Sequence, residues 1–255
     1  MSASLHRTGT AGDPASPIHR LDPRAKLAGF AGITVVAVST PLRAWPVFVA
    51  CAIALAAIAG LARVGPVVLW ARLRVVLPVV FVAVFVPFVR GGSQVQVGPF
   101  SLSEAGLATF ALVTAKAAIG ALSAVLLGAT TSFPDVLHAL ERLRAPRLLI
   151  VIAAFMYRYV FVIADEARRM RTAVAARGYR PRHVGHAAAL GRMATALFLR
   201  SYERGERVYL AMLARGYAGT MPRLAVLAFR RSDAVFVAVL AGALVPLRIL
   251  VEVAA

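Results

Sequence analysis

The residues of this chain best suited to make specific contacts occur as a repeat. Ala173-Val174-Ala175-Ala176-Arg177-Gly178-Tyr179 returns as Ala211-Met212-Leu213-Ala214-Arg215-Gly216-Tyr217, with the shared pattern A-x-x-A-R-G-Y. An arginine presents a planar fork of N–H donors that holds several carbonyl or carboxylate oxygens at once. Its place just before a glycine suits the last turn of a helix: glycine adopts the left-handed conformation that follows a helix end without steric penalty, and Pro181 and Pro222 then forbid continuation. The two alanines of each copy are three apart, so they share a helix face and leave room for a close neighbour. A single such arginine would do little more than complement the helix dipole, a contribution under ~1 kcal/mol. Five identities in seven, twice over, point instead to paired contacts with a partner that has two equivalent sockets.

Other chemistries are poorly supplied. His183 and His186 could reach one metal ion from a helix, but Pro181 and Gly185 favour an irregular segment and no third ligand is near, so no metal ligand is assigned. Lys116 lies near the middle of an apolar run, where an ionisable group is a functional candidate by default; pairing with a carbonyl or a carboxylate of another helix is the favoured reading. A phosphate-binding loop needs a glycine-rich turn ending in Gly-Lys-Ser/Thr, and the only two lysines, Lys26 and Lys116, are not preceded by glycine. There is no Ser/His/Asp arrangement and no nucleotide fingerprint. No catalytic residue, cofactor or metal is expected, and any energy input must come from a partner. Cys51 stands alone in an apolar run and supports neither a disulfide framework nor a thiolate cluster.

The elements that must position the repeat belong to a membrane protein. Of 255 residues 60% are hydrophobic and 16% charged, with mean hydropathy +0.77, which is too apolar for an ordinary soluble domain. The formal charge of +18 would fit nucleic acid, but no soluble basic domain can be cut out, and basic residues on a membrane protein mark the cytoplasmic side and its anionic leaflet. Apolar runs lie at Leu27 to Ser39, Pro46 to Ala62, Val75 to Val89, Gly106 to Gly128 and Ala234 to Val251, giving five expected crossings. Leu148 to Ala164 carries Arg158 and is read as a tilted or half-inserted sixth segment. Within Gly106 to Gly128, the residues Gly120, Ala124 and Gly128 offer a close-packing face.

Eighteen arginines fall between Thr130 and Arg231, against six acids. The positive-inside rule therefore places this block and the N-terminus in the cytoplasm, and five spans put the C-terminus outside. The expected organisation is a cytoplasmic segment 1–26 without a signal peptide, a membrane domain 27–129, cytoplasmic coupling helices 130–231 and a last span 232–255. Inside the block, Pro134 to Leu143 reads as a short amphipathic helix capped by Thr131 or Ser132, with Val136, Leu137, Leu140 and Leu143 on one side. Two longer helices should follow, each ending at one copy of the repeat. Asp165 before Arg169 and Glu203 before Arg207 are spaced to pair on them. The fold class is all-α: a polytopic membrane protein with about five transmembrane helices and a cytoplasmic helical coupling module.

The two Ala-Arg-Gly elements, with the stretches His19 to Leu27, Thr130 to Pro134, Phe155 to Arg171 and Arg200 to Pro222, resemble the T component of energy-coupling factor transporters, and most closely its CbiQ type, associated with cobalt uptake. The resemblance implies a cell-membrane scaffold that is not an enzyme and joins a substrate-binding membrane subunit to two ABC ATPase subunits. It assigns Ala176, Arg177 and Gly178 to one ATPase and Ala214, Arg215 and Gly216 to the other. Cobalt ion is the expected substrate, linked to cobalamin biosynthesis, with nickel or a vitamin as alternatives. From the residues alone, a self-contained secondary transporter using Lys116 and Arg158, and a membrane anchor with a plain basic surface for nucleic acid or lipid, also stay open.

Overall fold

The computed structural model describes residues 16–89, 94–97, 100–178, 187–219 and 230–253. These are helical apart from an antiparallel hairpin of β1 (Gln94–Val97) and β2 (Phe100–Ser103). The chain divides into two compact units, residues 1–143 with 227–255, and residues 144–226.

The first unit is organised around α1 (Pro23–Ser39) and α6 (Glu104–Thr130). Asp22 caps α1, its Oδ1 accepting the Arg24 N–H at 2.9 Å, and Pro23 occupies the first turn, where a missing N–H costs nothing. Ser103 caps α6 by accepting the Gly106 N–H at 3.3 Å. The two helices run antiparallel, and the chain's two lysines tie them together. Lys26 Nζ donates to Thr130 O at the end of α6 (2.9 Å), and Lys116 Nζ donates to Val38 O near the end of α1 (2.6 Å). The last carbonyls of a helix lack internal partners and form the negative end of its dipole, so an ammonium group suits both places. Lys116 thus has the carbonyl partner that the structural reading required.

Around this pair lie α2 (Trp45–Leu61), α3 (Pro66–Leu73), α4 (Leu77–Ala83), α5 (Val86–Val89), α7 (Phe133–Arg142) and α10 (Arg231–Val253). Pro66 and Pro78 start α3 and α4, and Pro87 lies within α5; because proline supplies no N–H to a preceding turn, the Leu69–Phe88 stretch is helical in short pieces, with a 3-10 turn at Arg74–Val76. An apolar cluster buries Phe30, Ile33, Val47, Cys51, Leu55 and Leu126 together. At Gly106 the chain passes so close that a Cβ would sit 2.6 Å from Pro87 Cα. Of the expected small-residue face, Gly120 approaches Thr34 with only ordinary contact, whereas Gly128 meets nothing, so close packing does not extend along it.

A buried polar knot joins segments far apart in sequence. Asp233, 1% exposed in the first turn of α10, accepts the Asp22 N–H at Oδ1 (2.8 Å) and the Arg230 N–H at Oδ2 (2.6 Å). Lys26, 2% exposed, also donates to His19 O at 3.2 Å. Burial pushes the Lys26 ammonium down from its usual value to about 8, against the opposing fields of Asp135, Asp233 and Asp22.

Four stretches are long and apolar enough to cross a bilayer: Leu69–Phe88, Glu104–Thr130, Arg147–Ala176 and Arg231–Val251, while Trp45–Leu61 is a shorter apolar helix. Four such stretches and one shorter apolar helix are consistent with about five crossings. Leu27 to Ser39 forms most of α1, a 17-residue helix, and Leu148 to Ala164 lies within the 30-residue α8, which is long and apolar enough by length and composition. One arginine does not disqualify a 30-residue helix, because its long stem lets the exposed Arg158 head reach polar surroundings.

The second unit is a pair of long helices, α8 (Arg147–Ala176) and α9 (Ala187–Ala214). In the first unit, α7 matches the expected amphipathic helix, with Ser132 as its cap and Leu137 buried, although Leu143 just past its end is exposed. Arg144 then takes φ +66°, the left-handed turn that separates α7 from the next helix.

Candidate functional site

Both copies of the repeat end a helix in the way their residue types dictate. In the second, the Tyr217 N–H bonds Met212 O (3.0 Å) and the Gly216 N–H bonds Leu213 O (2.9 Å), the paired bonds of a Schellman termination, with Gly216 at φ +76°. In the first, Gly178 at φ +75° bonds Ala175 O (3.0 Å). Ala176, Arg177 and Gly178, and likewise Ala214, Arg215 and Gly216, are all exposed. Among the described residues neither Arg177 nor Arg215 is paired with a carboxylate, so both guanidinium groups keep their donors free. Tyr179, Pro181, His183, His186 and Pro222 lie outside the described residues. Among those described, no group of three or more His, Cys, Asp or Glu could hold a metal ion.

The helices that present these ends are antiparallel. Arg177 lines a cleft of about 710 Å³ together with Arg192 and Arg200, near the start and middle of α9, whereas Tyr217 and Met212 line an apolar groove of about 520 Å³ with Val151 and Phe155, in the first turns of α8. The structure therefore places the two Ala-Arg-Gly elements at opposite ends of the helix pair and does not bring them together. A partner that contacts both must be large or paired.

What joins α8 to α9 was not visible as a motif. Glu166 accepts from Arg169 on its own helix (2.7 Å) and from Arg200 on the other (2.7 Å). The spacing rule anticipated Asp165 with Arg169; instead Asp165 lies 3.6 Å from Arg168, because Arg169 is already held by Glu166. Glu203 and Arg207 do approach, at 3.8 Å. Exposed pairs of this kind contribute under ~1 kcal/mol each, but the Glu166 bridge fixes which faces of the helices meet. Its signal in sequence was only an acid three before an arginine; the partner 34 residues away carries no local mark.

Residues 14–225 match the family described as CbiQ, cobalt transport protein. The cobalt transport protein CbiQ of Rhodobacter capsulatus is 30% identical over 198 residues, covering 74% of this chain and 77% of that one. The energy-coupling factor transporter transmembrane protein EcfT of Bacillus selenitireducens is 29% identical and covers 80% of this chain and 81% of its own length. A protein described as a fused cobalt transport protein CbiMQ, from Methanocorpusculum labreanum, is 28% identical over 81% of this chain, which spans 36% of that longer relative. With a family match over most of its length that includes both helix ends of the repeat, this chain belongs to the CbiQ/EcfT family of energy-coupling factor transporter transmembrane components.

Proposed function

We propose that this chain couples ATP hydrolysis by two partner ABC ATPases to a membrane subunit that captures substrate, with cobalt ion as the cargo. The observation that carries this reading is the pair of like helix ends, each with an unpaired arginine fork beside a left-handed glycine, held apart by one antiparallel helix pair. Two equivalent contacts at separate points suit two like ATPase subunits: Ala176, Arg177 and Gly178 take one, Ala214, Arg215 and Gly216 the other. Motion of the ATPases toward one another then acts on both ends of a single lever. The membrane domain is 27–129 with a last span 232–255, and the block 130–231 faces the cytoplasm with the segment 1–26, as the arginine distribution favours. Cobalt is taken from the description of the family and of the Rhodobacter capsulatus relative; nickel or a vitamin would use the same coupling.

The test is cobalt uptake together with co-purification of the ATPases, in membranes matched for protein level. An arginine seated in a desolvated, hydrogen-bonded socket costs ~2–5 kcal/mol when truncated, whereas a solvated rim arginine costs well under ~1 kcal/mol. Arg177→Ala or Arg215→Ala alone should weaken uptake, and the double variant should abolish it and shed the ATPases. Arg171→Ala, exposed on the same helix, should be mild. A double variant that transports and keeps its ATPases like the parent would refute the assignment.

A further inference from the structure

The α8–α9 pair has a face that docking at the helix ends does not use. On α8, Val151, Phe155, Tyr159 and Ile163 wall the apolar groove, and Glu166, Arg169, Met170, Ala173 and Arg177 wall the cleft. At 100° per residue all of these fall within one arc of about 140°. Groove and cleft thus succeed one another along a single stripe of α8, and α9 lines the same two spaces in reverse order, Arg192 and Arg200 in the cleft, Gly205 and Val208 in the groove. Apart from Ser201 and Arg204 beside the groove, one face is apolar in its first half and basic in its second.

The chemistry of the two halves differs sharply. From Val151 to Ile163 the apolar stretch of the helix rises roughly 18 Å, long enough to seat much of an acyl chain. The basic half holds four arginines against Glu166 alone. Glu166 is shared by Arg169 and Arg200, while Arg177 and Arg192 have no acidic partner among the described residues. Met170 and Met193 stand between the arginines, so the cleft floor is partly apolar as well. A small anion would satisfy the arginines and leave the groove empty; an apolar segment would fill the groove and leave the positive charge uncompensated. An amphiphile with a phosphate at one end satisfies both.

We propose that the α8–α9 groove binds one anionic phospholipid, its phosphate held by Arg192 and Arg200 and an acyl chain laid along Phe155, Tyr159 and Val208. The site stands whether or not Arg177 and Arg215 dock ATPases. The full-length protein, delipidated in detergent, is titrated with phosphatidylglycerol or with phosphatidylcholine of the same chains and read by native mass spectrometry; inorganic phosphate is the competitor. The parent should bind one phosphatidylglycerol at least tenfold more tightly than phosphatidylcholine. Arg192→Ala/Arg200→Ala should remove that preference, and Arg192→Ala alone, which leaves the Glu166 bridge intact, should reduce it severalfold. Gly205→Leu places a side chain in the groove at a position where an added Cβ meets nothing, so it should weaken phosphatidylglycerol while the protein stays folded. Equal binding of the two lipids, or binding unchanged in the arginine variants, overturns the proposal. Displacement of phosphatidylglycerol by inorganic phosphate at equal concentration makes the cleft a small-anion site and also overturns it. Arg192→Ala that sheds the ATPases but keeps the lipid assigns the cleft to a protein contact instead.

Discussion

Asp233→Ala should be among the most damaging single substitutions in the helical core, although the residue lies in no motif. Its carboxylate is 1% exposed and accepts two backbone N–H groups, from Asp22 at 2.8 Å and from Arg230 at 2.6 Å. The first bond spans 211 residues and fastens the start of α1 to the start of α10. Hydrogen bonds to an ionised acceptor contribute ~1.5–3 kcal/mol each, and a donor left buried and unpaired adds its own desolvation cost. A negative charge in the first turn of α10 adds ~0.3–1 kcal/mol through the helix dipole. Asp233 also favours the charged form of the buried Lys26 ammonium. Together these give a loss of about 3–7 kcal/mol, or a fall of roughly 10–20 °C in melting temperature for a chain of this size.

Asp233→Asn retains one acceptor oxygen and no charge, so its loss should be about half as large. The assay is thermal unfolding of the purified protein in one detergent, followed by intrinsic fluorescence and by loss of the monodisperse chromatographic peak. Ser232→Ala, an exposed neighbour, is the control. A melting temperature for Asp233→Ala within ~2 °C of the parent, or an alanine variant no worse than the asparagine one, would show that the knot is not a fastening and would refute the reasoning.

Three further outcomes are expected. Since the folded protein holds Lys26 near pKa 8 rather than 10.5, the unfolded chain binds the extra proton between those values, so the parent should gain stability relative to Lys26→Met as pH rises from 8 to 10, by about 2 kcal/mol; a flat or falling difference in melting temperature contradicts this. Gly106→Ala, whose Cβ would meet Pro87 backbone at 2.6 Å, should destabilise by ~1–3 kcal/mol, while Gly120→Ala, with ordinary contact to Thr34, should be nearly neutral or stabilising in the same unfolding assay. Gly216→Ala keeps Arg215 but strains a residue at φ +76°, so it should cost ~1–2 kcal/mol locally and reduce co-purification of the ATPases less than Arg215→Ala does.

The parts of this fold that were legible in sequence are those fixed by short-range rules. Helix ends at Gly178 and Gly216 follow from a residue that alone adopts positive φ cheaply, and the Ser132 cap follows from a side chain that satisfies an orphan N–H group. Membrane segments are legible where apolar runs are continuous; at Leu148 to Ala164 the apolar run passes without a break into the charged half of a single 30-residue helix, so neither half can be assigned by composition alone. What no local rule reveals is partner choice across the chain. Asp233 with Asp22, Glu166 with Arg200, and Lys26 with Thr130 are set by which helices pack, and each residue alone looks like an ordinary surface charge.

The two units place their charges in opposite ways, and that contrast bears on coupling. In the first unit the lysines are spent on carbonyls: Lys26 and Lys116 each bond a carbonyl at the C-terminal end of the other's helix, at 2.9 and 2.6 Å, so both ends of α1 are fastened to the stretch of α6 from its middle to its end. A compact ammonium with three donors suits that task, since it needs no planar match. In the second unit the cations are arginines, and the cross-helix bond to Glu166 is solvent-exposed, worth little alone and readily exchanged for another anion. On the proposed function, a lysine-fastened helix pair would serve as scaffold and an arginine-lined pair with exchangeable bonds would serve as the element that responds to a partner. The forks left open at Arg177 and Arg215 are then available to oxygens supplied by another chain, while the lysine-closed ends of α1 and α6 are not.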